Sequence, residues 1–164
     1  GIEKTFVPMR NQLFLTIAAN RAVCVGADVI VTGVCEEDFG GYPDCRRVFI
    51  EALQAAINLS NEGAAKPIEI FTPLMHLTKA QTVELALDLP GAYRALGYSH
   101  TSYDGQYPPI GHDHATLLRA KGFEEANVPD PLVWRAWREG LMELPKTANY
   151  DERQLARYEP FLHE

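Results

Sequence analysis

Apolar positions first recur at helical spacing near the start of the chain, where Leu13, Phe14, Ile17, Ala18 and Ala22 share a face. Pro8 sets up a helix start near residues 9–11, and Gly26 supplies the stop. Residues 28–34 (DVIVTGV) are a short β-branched run that reads as a buried strand. Glycine and polar residues dominate from there to Tyr42. Phe49, Leu53, Ala56 and Ile57 mark a second helix beginning near Asp44 or Arg46. Residues 67–71 (PIEIF) predict a second strand, closed by Thr72-Pro73, and Thr78 caps a third helix carrying residues 80–87.

Helix, strand, helix, strand, helix is the rhythm of an α/β layered domain with a parallel sheet. Two strands make a thin sheet for that class. Residues 91–111 read as loop, with Gly97, Gly105, Pro108 and Pro109. Helices are expected near residues 115–126 and 131–142, and the last twenty residues or so read as a polar tail docked on the body.

Composition narrows the function classes. The 164 residues are 46% hydrophobic and 23% charged, which suits one globular domain. A net charge of -7 argues against broad binding to nucleic acid or an anionic membrane, because phosphates need a basic face. No apolar run approaches the roughly 20 residues of a membrane span. Cys24, Cys35 and Cys45 are odd in number and lack CxxC spacing, so a reducing cytoplasm is expected rather than a disulfide framework.

The densest chemistry lies in residues 33–46 (GVCEEDFGGYPDCR), just after the first strand. In open α/β sheets, ligands bind outside the carboxyl ends of strands. Asp38, Tyr42, Asp44 and Arg46 can grip a flat polar heterocycle. The same residues also suit a solvated turn with Asp44 as a helix cap. Arg10-Asn11 sits at a helix start that favours anions, or is a surface arginine beside a capping amide. Lys79 occupies a first helical turn, which ordinarily prefers acids; an anionic ligand or plain solvation explains it. Cys45 is a candidate nucleophile or a buried thiol. His112, Asp113 and His114, with His100, Ser102 and Asp104 upstream, offer a borderline metal set or a polar loop, without usual zinc spacing. No GxGxxG or GxxxxGK[ST] phosphate loop occurs.

Three segments together resemble the 7-cyano-7-deazaguanine synthase family. They are Thr5-Phe6-Val7-Pro8-x-Arg10-Asn11; Thr32-Gly33-Val34-Cys35-Glu36-x-Asp38-Phe39-x-Gly41-Tyr42-Pro43-Asp44-Cys45-Arg46; and Thr72-Pro73-Leu74-Met75 with Lys79-Ala80. The similarity runs from Gly1 to about Pro131. The resemblance implies the carboxy-terminal part of a doubly wound parallel-sheet, adenine-nucleotide α-hydrolase-like domain in residues 1–96, with a small helical appendage in residues 97–164. It implies use of ATP, with Mg2+, to convert 7-carboxy-7-deazaguanine and ammonia into the nitrile. On that resemblance Arg10, Asn11 and Lys79 face the ATP phosphates, and Asp38, Tyr42, Asp44 and Arg46 line the deazapurine pocket. Lys79, Asp44 and Cys45 are the implied catalytic residues.

Two departures stand out. Family members open with a strand and a Ser-Gly-Gly-x-Asp-Ser loop, which has no counterpart here; the expected assembly is a homo-oligomer or a pairing with a separate half carrying that loop. The family also has Cys-Tyr-Asn-Gly followed by Cys-Gly-x-Cys-x-x-Cys, a zinc site. Ser102, Ile110, Asp113 and Thr116 stand at those cysteines, so no zinc is expected. Packing of Tyr103, Tyr107, Phe123, Trp134 and Trp137 is expected to replace it.

Overall fold

The computed structural model describes residues 7–36, 42–63, 66–102 and 104–163. These hold seven α-helices and two strands, in two compact units, Gly1–Leu77 and Thr78–Glu164. Among the described residues, no helix is long and apolar enough to cross a membrane.

The first unit is a parallel two-stranded sheet with two helices. Helix α1 (Arg10–Val25) ends where Gly26 takes a left-handed conformation, φ 73°, and donates back to Ala22 and Val23. Strand β1 (Val29–Val31) pairs in parallel with β2 (Glu69–Phe71), Ile30 opposite Ile70. Helix α2 (Arg47–Ser60) lies between them in sequence. Leu15, Ala19 and Ala22 of α1, Ile50, Leu53 and Ile57 of α2, and Ile30, Ile68, Ile70 and Met75 form one core.

Two expectations are corrected here. Of the apolar stripe read from the sequence, Leu13, Phe14 and Ile17 are 58%, 60% and 58% exposed; Ala22 is buried, and Leu15 and Ala19 pack beside it. Strand β1 is shorter than residues 28–34 and buries Ile30 alone, leaving Val29 and Val31 exposed. Parallel sheets are ordinarily covered on both faces, so β1 carries apolar side chains on both. Among the described residues of this unit, the core covers the face of Ile30 and Ile70 and leaves Val29, Val31 and Phe71 exposed.

The ladder of β2 is closed on its outer side by amides from α2. Asn58 donates to the Ile68 carbonyl at 2.9 Å and accepts from its N–H at 2.7 Å. Gln54 accepts from the Ile70 N–H at 2.6 Å. One helical turn apart, the two side chains satisfy the edge groups that would otherwise need another strand.

The second unit is helical: α3 (Lys79–Asp88), α4 (Ala92–Leu96), α5 (His114–Glu125), α6 (Pro131–Arg138) and α7 (Glu152–Tyr158). Thr78 caps α3, as the sequence predicts, and the structure adds a reciprocal box with Gln81. Asp113, Asp130 and Asp151 cap α5, α6 and α7. Val83, Tyr93, Phe123, Val128, Trp134 and Tyr158 make the core. Helix α5 comes so close to α3 that a methyl at Gly122 would lie 2.6 Å from the Lys79 β-carbon.

Three corrections belong to this unit. Residues 91–111 contain α4, whose buried Tyr93 donates its hydroxyl to the Pro129 carbonyl at 2.7 Å. Helix α6 stops at Arg138 because Gly140 turns left-handed. The tail is part of the core: Tyr158 is buried, and its ring lies 6.2 Å from Tyr93 and 5.9 Å from Phe161.

Candidate functional site

The carboxyl ends of β1 and β2 lead into two segments that meet. The Glu36 N–H donates to the Met75 carbonyl at 3.0 Å. Its carboxylate accepts from the Arg47 N–H at 3.0 Å, capping α2, and lies 3.4 Å from His76 Nδ1. Arg47 reaches Thr72 at 3.4 Å. Glu36 therefore anchors the start of α2, a role the sequence reading did not assign; an acid just after a strand, eleven positions before a helix start, is too weak a signal.

Pro43, Asp44 and Cys45 form a 3-10 turn, with Pro43 at its first position, where a fixed φ is favourable. Asp44 and Cys45 are buried. The Asp44 carboxylate accepts from the Asn11 N–H at 3.2 Å, and its carbonyl accepts from the Asn11 side-chain amide, also at 3.2 Å. That amide also donates to Cys45 Sγ at 3.3 Å. Helix α1 needs such a partner. Met9 at its N-cap sits at φ 59° and offers no side-chain cap, so an orphan N–H of the first turn is satisfied by an acid from a distant turn.

The structure thus brings Asn11, Asp44 and Cys45 together through mutual hydrogen bonds. Arg10 is half-buried in the first turn of α1, Tyr42 is half-buried just before the 3-10 turn, and Arg46 is exposed as the N-cap of α2. Asp38 lies outside the described residues. Lys79 opens α3 in the second unit, with its backbone against Gly122. An open groove of about 290 Å³ lies elsewhere in the first unit, lined by Asp28, Gln54, Lys66 and Glu69. Lys66 and Asp28 pair there at 2.9 Å, which holds the Asp28 carboxyl below its usual range.

Residues 1–127 match the family model described as queuosine biosynthesis protein QueC. The chain belongs to that family. It is 52% identical over 141 residues to the 7-cyano-7-deazaguanine synthase of Gloeobacter violaceus, across 85% of this chain and 60% of that protein. It is 51% identical over 139 residues to the synthase of that name from Chromobacterium violaceum, across 85% of this chain and 58% of that protein. The chain therefore spans about three-fifths of these QueC-family relatives. Helices α6 and α7 lie beyond the residues that the family model matches.

Proposed function

We propose that the chain is the deazapurine-recognising part of an ATP-dependent nitrile-forming ligase, which makes 7-cyano-7-deazaguanine from 7-carboxy-7-deazaguanine and ammonia. The observation that carries this is the Asn11–Asp44–Cys45 joint. It fixes the start of α1 beside the turn holding Tyr42 and Arg46. Arg10, Asn11 and Lys79 serve the ATP phosphates, and Asp38, Tyr42, Asp44 and Arg46 the heterocycle. Because Asp44 already occupies an N–H of α1, the cationic contacts come from Arg10 and Lys79 rather than from the helix end alone.

In the proposed reaction, the substrate carboxylate attacks ATP and pyrophosphate leaves. Ammonia then displaces the adenylate to give the amide, and a further ATP activates the amide oxygen for loss, leaving the nitrile. The protein's part is to position the carboxylate and to balance charge developing on the leaving phosphates. Lys79 supplies a point charge, and Asp44 and Cys45 hold the turn beside the reacting carbon. The reading includes a Mg2+ carried on the nucleotide. Mg2+ neutralises phosphate charge when bound.

The remaining strands and the phosphate loop are assigned to a complementary half of the domain, in a cytoplasmic assembly. Support comes from the sheet edge. The ladder uses Asp28, Ile30 and Thr32 on β1, so the backbone groups of Val29 and Val31 face the other side. Gln54 and Asn58 close β2. The complementary strand therefore adds at β1, and the exposed Val29, Val31 and Phe71 fit a helix on the open face.

Two results test the reading. The 164-residue chain alone is expected neither to hydrolyse ATP nor to make nitrile; adding a half that carries the phosphate loop is expected to restore both, measured by phosphate release and product chromatography. Product from this chain alone would count against the split reading. In the restored assembly, Arg46→Lys keeps the charge but loses the planar fork, so deazapurine binding is expected to weaken about tenfold with little change in melting. Titration calorimetry giving an unchanged Kd would leave residues 42–46 as a structural turn.

A further inference from the structure

The zinc site implied by the family does not fit the residues present. Ile110 has no ligand atom and is 56% exposed. Ser102 and Thr116 offer only neutral hydroxyls, poor substitutes for thiolates. The one anionic donor, Asp113, is already engaged. Its Oδ1 accepts from the Thr116 N–H at 3.1 Å, and its Oδ2 accepts from the Thr116 hydroxyl at 2.7 Å. The Thr116 hydroxyl first, with the Thr116 N–H and the nearby Ser102 side chain adding to it, holds its carboxyl below the usual carboxylate range.

These three side chains converge on one point. A β-carbon built on Gly111 would lie 3.1 Å from Asp113 Oδ2, 3.5 Å from Ser102 Oγ and 3.5 Å from Thr116 Oγ1. At 2.7 Å, the Thr116 hydroxyl donates an ordinary hydrogen bond to the Asp113 carboxylate. Ser102 extends the network along the chain, because its Oγ accepts from the Asp104 N–H at 3.3 Å and its carbonyl from the Gly105 N–H at 3.1 Å. The segment just before it is held from the same helix. The Arg119 guanidinium donates to Ser99 Oγ at 2.8 Å and Thr101 Oγ1 at 3.4 Å.

We propose that Ser102, Asp113 and Thr116 form a metal-free polar staple, tying the 101–105 turn to the first turn of α5 where relatives are expected to hold zinc. The aromatic packing expected from the sequence does not account for this junction. Phe123 and Trp134 are buried in the helical core, Trp137 is 40% exposed, and Tyr103 lies outside the described residues. Tyr107 donates to Glu139 and accepts from Arg135, on α6 and its cap rather than at α5. The proposal rests on family membership and is independent of the substrate reading.

The test uses the purified 164-residue chain, with zinc content, chelator response and amide hydrogen exchange as readouts. Far less than one zinc per chain is expected, and a chelator should leave melting unchanged. Ser102→Ala and Thr116→Val should each speed exchange in residues 100–117 about tenfold, leave α1 and α2 unaffected, and gain nothing from added zinc. Stoichiometric zinc whose removal loosens this segment would overturn the staple. So would a zinc-free chain in which both variants exchange like the parent, since the hydrogen bonds would then hold nothing. None of these readouts involves ATP or deazapurine.

Discussion

Arg119→Ala is expected to destabilise the second unit by about 3–5 kcal/mol, because it leaves a buried carboxylate without its counter-charge. Side chains of Arg119 and Asp130 are 13% and 3% exposed. They meet as two parallel bonds, Nε to Oδ2 at 2.6 Å and Nη2 to Oδ1 at 2.8 Å. The same guanidinium donates to the Leu96 carbonyl at 2.9 Å and to Ser99. Asp130 in turn caps α6, accepting from the Leu132 N–H at 2.8 Å. One ion pair therefore fixes the end of α4, the 99–101 segment, α5 and the start of α6. Arg119→Lys restores a charge but not the fork, so it should fall between the parent and the alanine variant. Both tryptophans, Trp134 and Trp137, lie in this unit, so their fluorescence in urea reports its unfolding directly. A shift below about 1 kcal/mol for Arg119→Ala would mean that water reaches Asp130 and that the pair organises little.

The contrast between α1 and its surroundings shows what the sequence carries and what it hides. Gly26, Thr78 and Asp113 act on their own helices within a few residues, so these ends are legible from spacing. The α1 N-terminus is held by Asp44, 33 positions away, and that of α2 by Glu36, which no local window connects. Periodicity also cannot decide between two apolar faces of one helix. Leu13, Phe14 and Ile17 make as good a stripe as Leu15, Ala19 and Ala22, and only the folded unit shows which meets the sheet. The tail looks polar because Tyr158 and Phe161 are spread among charges, yet their aromatic contacts place them at the second core. For the candidate site, the family motif identifies the cluster and the structure supplies its internal connection. The family resemblance directs Asn11 at phosphates and Asp44 at the heterocycle; in the fold they bond first to each other.

That connection makes Asp44 the residue where stability and recognition can be separated. Asp44→Ala removes the acceptor of the Asn11 N–H and is expected to cost the first unit about 1–3 kcal/mol. Amide exchange in α1 should rise accordingly, while the tryptophan signal of the second unit stays put. Asp44→Asn keeps the size and an oxygen able to accept from Asn11, so most of the stability should return. It removes the negative charge, however, and can point an N–H₂ where a deazapurine needs an acceptor. If Asp44 reads the heterocycle, Asp44→Asn in the restored assembly should therefore bind about 5- to 150-fold more weakly while melting near the parent temperature. A well-folded Asp44→Asn assembly with parental affinity would confine the carboxylate to capping α1 and shift recognition to Tyr42 and Arg46. An Asp44→Ala chain whose α1 amides exchange at parental rates would instead show that the Asn11–Asp44 bond does not hold the helix, and the joint that carries the functional reading would lose its structural basis.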